Sequence, residues 1–154
     1  LAVFDVRATN PWTVQVPENK AFAFIDEFDA SLAQASGRYD SGSERGVVTV
    51  FIDHLSPADI DGQAYFFAPM SVSNQGSGVF FYLAQFKFDV QRSRVILNDS
   101  IYLGDRIKLD ELNIEQGHGV VSYFEHSQGQ AMAEEPKKST AKTFDFNAQR
   151  VVEH

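Results

Sequence analysis

The segment Gly-Ser-Gly-Val-Phe-Phe-Tyr-Leu-Ala, at positions 76–84, joins a glycine-rich turn to a dense apolar and aromatic run. Further along the chain, Ser-Ile-Tyr-Leu-Gly-Asp-Arg-Ile at positions 100–107 places a second glycine-bearing turn beside apolar residues. Glycine supplies the positive φ angles that tight connections need, whereas aromatic and β-branched residues are enriched in strands. The two segments therefore predict a β-rich domain, and neither carries a catalytic signature.

The composition predicts one folded domain over residues 1–154. Hydrophobic residues make up 44% of the chain and fourteen residues are phenylalanine, a content far above that of disordered proteins. A chain of this length buries about two-thirds of its unfolded surface, so it needs no disulfide or metal ion to fold. The absence of cysteine excludes thiol catalysis and thiolate metal sites, and it leaves the redox compartment open.

The net charge of −8 argues against polyanionic partners. Nucleic-acid affinity depends on basic residues that neutralise phosphates, and an acidic chain is repelled by anionic membrane surfaces for the same reason. No apolar run reaches the roughly 18 to 20 residues that a transmembrane helix needs. We therefore expect neither nucleic acid nor a transmembrane segment, and no cofactor is indicated.

Apolar runs predict eight strands, joined by turns that contain glycine, proline or aspartate, among them turns at Asp61-Gly62, Gly104-Asp105 and Gln116-Gly117. Residues 36–46 and 55–62 are predicted to be polar connections, and residues 74–78 the tip of a hairpin. Residues 127–139, which are rich in polar side chains, are predicted to form a long polar loop. The predicted strands cover residues 12–16, 47–52, 63–73, 79–90, 94–103, 107–114, 118–126 and 140–146.

Residues 20–35 fit either a strand or a helix. Phe24, Ile25, Phe28 and Leu32 fall at helical spacing ahead of Gly37, which slightly favours a short helix, although phenylalanine is a mediocre helix former. The predicted class is mainly β, with α+β left open. We expect one antiparallel, twisted sheet, a small barrel or a sandwich, with one or two short helices in the N-terminal third.

The residues at 58–64, 76–84 and 103–107 together resemble a family of bacterial exported proteins of uncharacterised function, many of them lipoproteins. Members of that family share a GDLNGDG-like turn, a GGSGTFYYLA-like hairpin and a LGDRV turn, and the resemblance covers about residues 59–146. It implies a periplasmic or membrane-anchored location, with a lipid anchor in the precursor. The start at Leu1 instead of Met fits either a trimmed leader, which implies export, or a trimmed disordered segment, from which nothing follows. The chain departs from the family at Gln63, where the acidic turn lacks its second glycine.

Two sets of residues are candidates for ligand binding. The aromatic side chains of two consecutive strands either fill the core or line a concave apolar pocket. Asp105 and Arg106 either present a guanidinium group to an anionic ligand or complete a turn, and the turn is the favoured interpretation. The aromatic candidates are Tyr65, Phe67, Phe80 and Tyr82.

Metal and catalytic sites are weakly indicated. Asp53, Asp59 and Asp61 carry oxygen ligands that Ca²⁺ accepts, but too few alternate positions are acidic, so a polar turn is favoured. His118 and His126 flank one predicted strand and lie too far apart to share a metal ion. His154, at the end of the sequence, is assigned no function.

Three classes of function remain open. The first is a non-enzymatic exported domain that binds a protein or another component of the bacterial envelope through a sheet face or through residues 127–139. The second is a carrier of a small apolar ligand in an aromatic-lined cavity. The third is a hydrolase, which requires His54 or His126 within hydrogen-bond reach of a serine or carboxylate.

Overall fold

Thirteen strands in two sheets make up most of the described chain. The computed structural model describes residues 12–17, 20–91 and 94–154. The first sheet contains β1 (Trp12–Gln15), β2 (Phe22–Ile25), β3 (Glu27–Asp29), β4 (Gln34–Asp40), β5 (Arg45–Phe51), β6 (Ser56–Ile60), β7 (Gln63–Asn74), β8 (Val79–Asp89) and β9 (Arg94–Asp105). The second sheet contains β10 (Lys108–Glu115), β11 (His118–Glu125), β12 (Lys138–Phe146) and β13 (Val151–Glu153).

The first sheet curls into a nearly closed barrel. Its strands lie in the order β2-β1-β9-β8-β7-β5-β4-β3, and β6 pairs with the first half of β7. Consecutive strands β2 and β3 are separated only by Asp26, yet β2 pairs with β1 at one edge of the sheet and β3 pairs with β4 at the other. The Asp26 amide donates to the Ser36 carbonyl at 3.1 Å. Residues 22–29 therefore connect the two edges.

A glycine in β4 permits this closure. Gly37 lies against the backbone of β2, and a Cβ atom built at this position would overlap the carbonyl oxygen of Phe24. A residue with a side chain would force the two strands apart, since backbone atoms cannot move aside as a flexible side chain can. The glycine thus sets how closely the two edges of the sheet approach each other.

Two hydrophobic cores lie on opposite faces of the curled sheet. The barrel interior contains Trp12 and Phe86, whose rings meet edge to face with centroids 4.9 Å apart. The second core lies between the outer face of the barrel and the second sheet, and contains the neighbouring rings of Phe67 and Phe144. Because both sheets share the second core, the described residues form a single β-rich domain.

Strand β8 contributes to both cores. Tyr82 and Phe86 face the barrel interior, while Phe81 and Leu83 face the second sheet. Successive side chains of a strand point to opposite faces, so a strand between two cores is apolar on both. This arrangement explains the dense apolar run at positions 79–86.

A buried amide connects the barrel to the C-terminal hairpin of the second sheet. Gln85, on β8, is fully buried, and its Nε2 donates to the Asn147 carbonyl at 2.8 Å. Its Oε1 accepts from Asn98 Nδ2 at 2.7 Å, and that amide also donates to the Ala148 carbonyl at 3.0 Å. The Val151 amide also joins the same regions, because it donates to the Asp99 carboxylate at 2.6 Å.

The prediction of a mainly β fold is confirmed, and the predicted helix at residues 20–35 is wrong. Those residues form β2, β3 and a turn, and the one short helix of the described chain is a single 3₁₀ turn at Ile52–His54. Ala23 and Ile25 are buried while Phe22 and Phe24 are exposed, an alternation of period two. Pairing with β1 stabilises β2 as a strand, and this pairing outweighs the helical spacing of the apolar residues.

Two predicted connections also contain strands. Residues 36–46 were expected to be a polar connection, but most of them belong to β4 and the start of β5. Residues 55–62 include β6, and within them the predicted Asp61-Gly62 turn closes the β6–β7 hairpin with φ angles of 53° and 81°. Proline at position 57 is tolerated in β6 because that strand pairs with β7 on one side only.

The remaining predicted strands correspond to β1, β5 and β7 to β12 within a few residues at each end. The predicted turn at Gln116-Gly117 joins β10 to β11, and Gly117 has a φ angle of 74°. The predicted polar loop at residues 127–139 is irregular up to β12, which begins at Lys138. None of the described segments is a helix of the length and apolarity needed to cross a bilayer.

Candidate functional site

An apolar groove opens on the outer face of the barrel, where the second sheet does not cover it. Its volume is about 500 Å³, and its walls come from β1, β2 and β9. Phe22 and Phe24 are 59% and 52% exposed, because their neighbours Ala23 and Ile25 take the inward positions of β2. The complete lining is Thr13, Gln15, Phe22, Phe24, Arg94, Ile96 and Leu97.

One cation lies in the wall of this groove. The Nη1 atom of Arg94 donates to the Thr13 hydroxyl at 3.2 Å, and its Cζ atom lies 5.9 Å from the centroid of the Phe24 ring. A guanidinium over an aromatic face is attracted by the negative face of the ring. These contacts hold the side chain against the groove, so two exposed rings and a positive charge form one surface in a chain of net charge −8.

The four aromatic residues singled out from the sequence do not line one cavity. Tyr82 belongs to the barrel interior and Phe80 packs against it, whereas Phe67 belongs to the second core. Tyr65, two residues before Phe67 on β7, is 3% exposed, and its hydroxyl donates to the Ala148 carbonyl at 3.4 Å. The four side chains are thus divided between the two faces of the sheet.

Asp105 and Arg106 build the turn between β9 and β10. The Asp105 carboxylate accepts the Val79 amide at 2.9 Å, and it also accepts two bonds from the Arg106 guanidinium, at 3.2 and 3.0 Å. The Arg106 amide donates to the Val79 carbonyl at 2.7 Å, and its φ angle is 51°. The two charged groups therefore bind each other, and the Asp105 carboxylate and the Arg106 backbone amide tie the turn to Val79 at the start of β8.

The three aspartates considered as calcium ligands lie in different local structures. Asp53 is in the 3₁₀ turn, Asp59 is in β6, and Asp61 is in the turn that follows it. In the described part of the chain, they do not belong to a group of three or more side chains that could share a metal ion.

His118, Asp145 and His154 do form such a group, on the outer face of the second sheet. The His118 Nδ1 atom lies 3.1 Å from Asp145 Oδ1, and the His154 Nε2 atom lies 2.9 Å from Asp145 Oδ2. Bonds from His154, and secondarily from His118, hold the pKa of the Asp145 carboxyl below its usual range. Sequence reasoning missed this group, since it paired His118 with His126 and set His154 aside.

The two histidines considered for a hydrolase have other contacts. The His54 ring lies 3.8 Å from the Asp53 carboxylate, while the nearby Ser56 hydroxyl donates to the His54 backbone carbonyl at 3.4 Å. The His126 Nε2 atom lies 2.7 Å from the Glu134 carbonyl. Neither contact joins an imidazole to a serine hydroxyl.

The groove residues were also missed, although the sequence carried a signal for them. Phe22 and Phe24 alternate with Ala23 and Ile25, and this pattern shows that one face of a strand holds the two larger side chains. The pattern does not show which face of the strand is buried.

Comparisons of the chain with protein-family models, with curated proteins and with solved structures found no significant match.

Proposed function

We propose that this protein is a non-enzymatic, exported domain of the bacterial envelope that binds an extended segment of a protein partner in the groove. The observation that carries the proposal is the exposure of Phe22 and Phe24 by more than half beside Arg94. Aromatic residues and arginine dominate the energetics of protein-binding surfaces, because they bury large areas and lose little conformational freedom.

The chemistry of the groove describes the segment it would accept. The two phenyl rings and Ile96 favour apolar side chains, while the exposed Gln15 side chain offers a polar group to a peptide backbone. The partner segment is therefore predominantly apolar.

A small apolar ligand is the second candidate. The groove volume of about 500 Å³ falls within the range of small-molecule sites. This carrier function would use the groove and not the aromatic interior, where Phe67 and Phe86 are fully buried.

Site-specific photo-crosslinking separates these alternatives. Phe24 is replaced by benzoylphenylalanine, and the purified protein is irradiated with a bacterial envelope fraction. We expect one defined protein adduct, which disappears when Phe22→Ser is added. The control carries the same photoreactive residue at Phe28, which is 49% exposed and lies outside the groove. A low-mass adduct at position 24 would favour the carrier, and equal labelling at positions 24 and 28 would contradict both.

Export is tested separately by the coding sequence upstream of Leu1. A secretory leader, with or without a cysteine for lipid attachment, would support the envelope location that the resemblance implies. A start methionine immediately before Leu1 would contradict it without affecting the groove.

A further inference from the structure

Three metal-binding side chains converge on the solvent-exposed face of the second sheet. His118, Asp145 and His154 each offer one ligand atom, and these atoms all lie within 4.8 Å of one another. Each side chain is partly exposed, with 41%, 56% and 51% of its surface accessible, so a metal ion can reach the group from solvent.

The strand register brings them together. His118 lies directly opposite Asp145 in the β11–β12 pair. In the β12–β13 pair, Asp145 lies opposite Val152, and the His154 amide donates to the Thr143 carbonyl at 3.0 Å, which continues the ladder by one position. His154 is thus diagonal to Asp145 on the same face, at a separation that long side chains span.

The opposite face of these strands anchors the group. Phe144 is fully buried in the second core, and Phe146 and Val151 are also buried there. Because side chains alternate along a strand, the burial of these neighbours fixes Asp145 toward solvent. The group is therefore built on paired strands and not on a mobile loop.

We propose that His118, Asp145 and His154 bind a divalent transition-metal ion of the zinc type. Two imidazole nitrogens and one carboxylate oxygen suit Zn²⁺ and its first-row neighbours, whereas Ca²⁺ and Mg²⁺ prefer oxygen ligands alone. Ligand atoms around a tetrahedral zinc ion are roughly 3.3 Å apart, given metal–ligand distances of about 2.0 to 2.1 Å. The His118 Nδ1 atom lies 3.1 Å from Asp145 Oδ1 and the His154 Nε2 atom lies 2.9 Å from Asp145 Oδ2, so each imidazole is near that spacing from the carboxylate, and one ligand atom from each of the three side chains lies within 4.8 Å of the others.

A second carboxylate, that of Glu115, lies next to the proposed metal site. Glu115, the last residue of β10, lies directly opposite His118 on the side away from Asp145, and it is exposed. Metal-bound imidazoles commonly donate their second ring N–H to a carboxylate, which orients the ring and raises its basicity. The register places Glu115 on the same face as His118, as this role requires. Three protein ligands leave a fourth position of the ion open to water.

The test is metal titration of the full chain purified without a polyhistidine tag. Calorimetry with ZnCl₂ should give one ion per chain with a Kd of roughly 10 μM or below, while CaCl₂ and MgCl₂ should give no binding. The variants His154→Ala and Asp145→Asn should each weaken Zn²⁺ binding by about tenfold or more. The matched control is His54→Ala, because His54 lies outside the group and its loss should leave Zn²⁺ affinity unchanged.

Cobalt supplies a readout that does not depend on stability. Co²⁺ added to the wild type should produce visible absorption bands of a low-coordinate nitrogen and oxygen site, and Asp145→Asn should reduce them while the far-ultraviolet circular dichroism stays unchanged. The proposal is overturned if the wild type binds Zn²⁺ with a Kd above about 10 μM. It is equally overturned if His54→Ala weakens binding as much as His154→Ala.

Discussion

Replacing Gln85 with leucine should destabilise the protein and loosen its C-terminal hairpin. Leucine keeps most of the buried volume but removes the amide that donates to the Asn147 carbonyl and accepts from Asn98. A hydrogen bond contributes about 1 kcal/mol net, and a buried group left without its partner costs about 1 to 3 kcal/mol. Asn98 keeps its bond to Ala148, so the expected loss in the free energy of unfolding is about 2 to 3 kcal/mol.

Urea unfolding measures this loss. With a denaturant slope of about 2 kcal/mol/M, the midpoint should fall by about 1 M or more. Hydrogen exchange should also accelerate at Val151, because the hairpin loses the bond from Gln85 to Asn147, which is one of its contacts with the barrel, while the bonds from Asn98 and to Asp99 remain. The control is Gln63→Leu, an exposed glutamine on the neighbouring strand, which should change the free energy of unfolding by less than about 0.5 kcal/mol.

A double-mutant cycle with Asn98→Ala isolates the contact between the two amides. The coupling energy should be about 1 kcal/mol, since the 2.7 Å bond exists only when both residues are present. A structural role for the Gln85 hydrogen bonds is excluded if Gln85→Leu is as stable as the wild type and the two substitutions are additive. In that case apolar packing at position 85, and not hydrogen bonding, would hold the hairpin.

The remaining predictions concern a buried hydroxyl and a close backbone contact. Burial raises the pKa of Tyr123, whose hydroxyl donates to the Leu103 carbonyl, to about 12. The folded state therefore keeps the Tyr123 proton to a higher pH than the unfolded state does, and the free energy of unfolding falls as pH rises from 10 to 12. Relative to Tyr123→Phe, the wild type should lose about 2 to 3 kcal/mol over that window in urea unfolding. Gly37→Ala should cost about 1 to 3 kcal/mol in thermal or urea unfolding, because its Cβ would overlap the Phe24 carbonyl. Gly76→Ala should cost less than about 1 kcal/mol, because its Cβ would lie 3.2 Å from the Asn74 Oδ1 atom of a side chain and not against backbone, and an equal loss at both glycines would contradict the role of Gly37 in closure.

The sequence indicated the strands that form the candidate sites, but it did not indicate which of their faces are covered. The alternation at Phe22 to Ile25 was readable, but helical spacing over residues 20–35 competed with it, and pairing with β1 decided the outcome. The aromatic residues of β7 and β8 were recognised as a strand pair, yet the choice between core and pocket depended on what covers each face. The second sheet covers one face and the barrel encloses the other.

The metal group could not be found from sequence spacing. His118 and Asp145 are 27 positions apart, and no short motif joins them or His154. They meet because β11, β12 and β13 pair in one register, which a shift of one residue would have destroyed by turning a side chain to the other face. By contrast, the turns at Asp61-Gly62 and Gln116-Gly117 were readable, because a two-residue turn depends on local backbone preferences.

The amino-acid sequence by itself determined that this chain is a β-rich domain with an acidic surface and without thiol chemistry. Those properties follow from composition, from period-two patterns and from turn residues, all of which act over a few positions. Only the tertiary structure decided that residues 22–29 join the edges of a barrel, that a second sheet covers one part of its outside, and that Phe22 and Phe24 stay uncovered. These features depend on long-range strand pairing, which is selected by the total burial of both cores and not by any local segment.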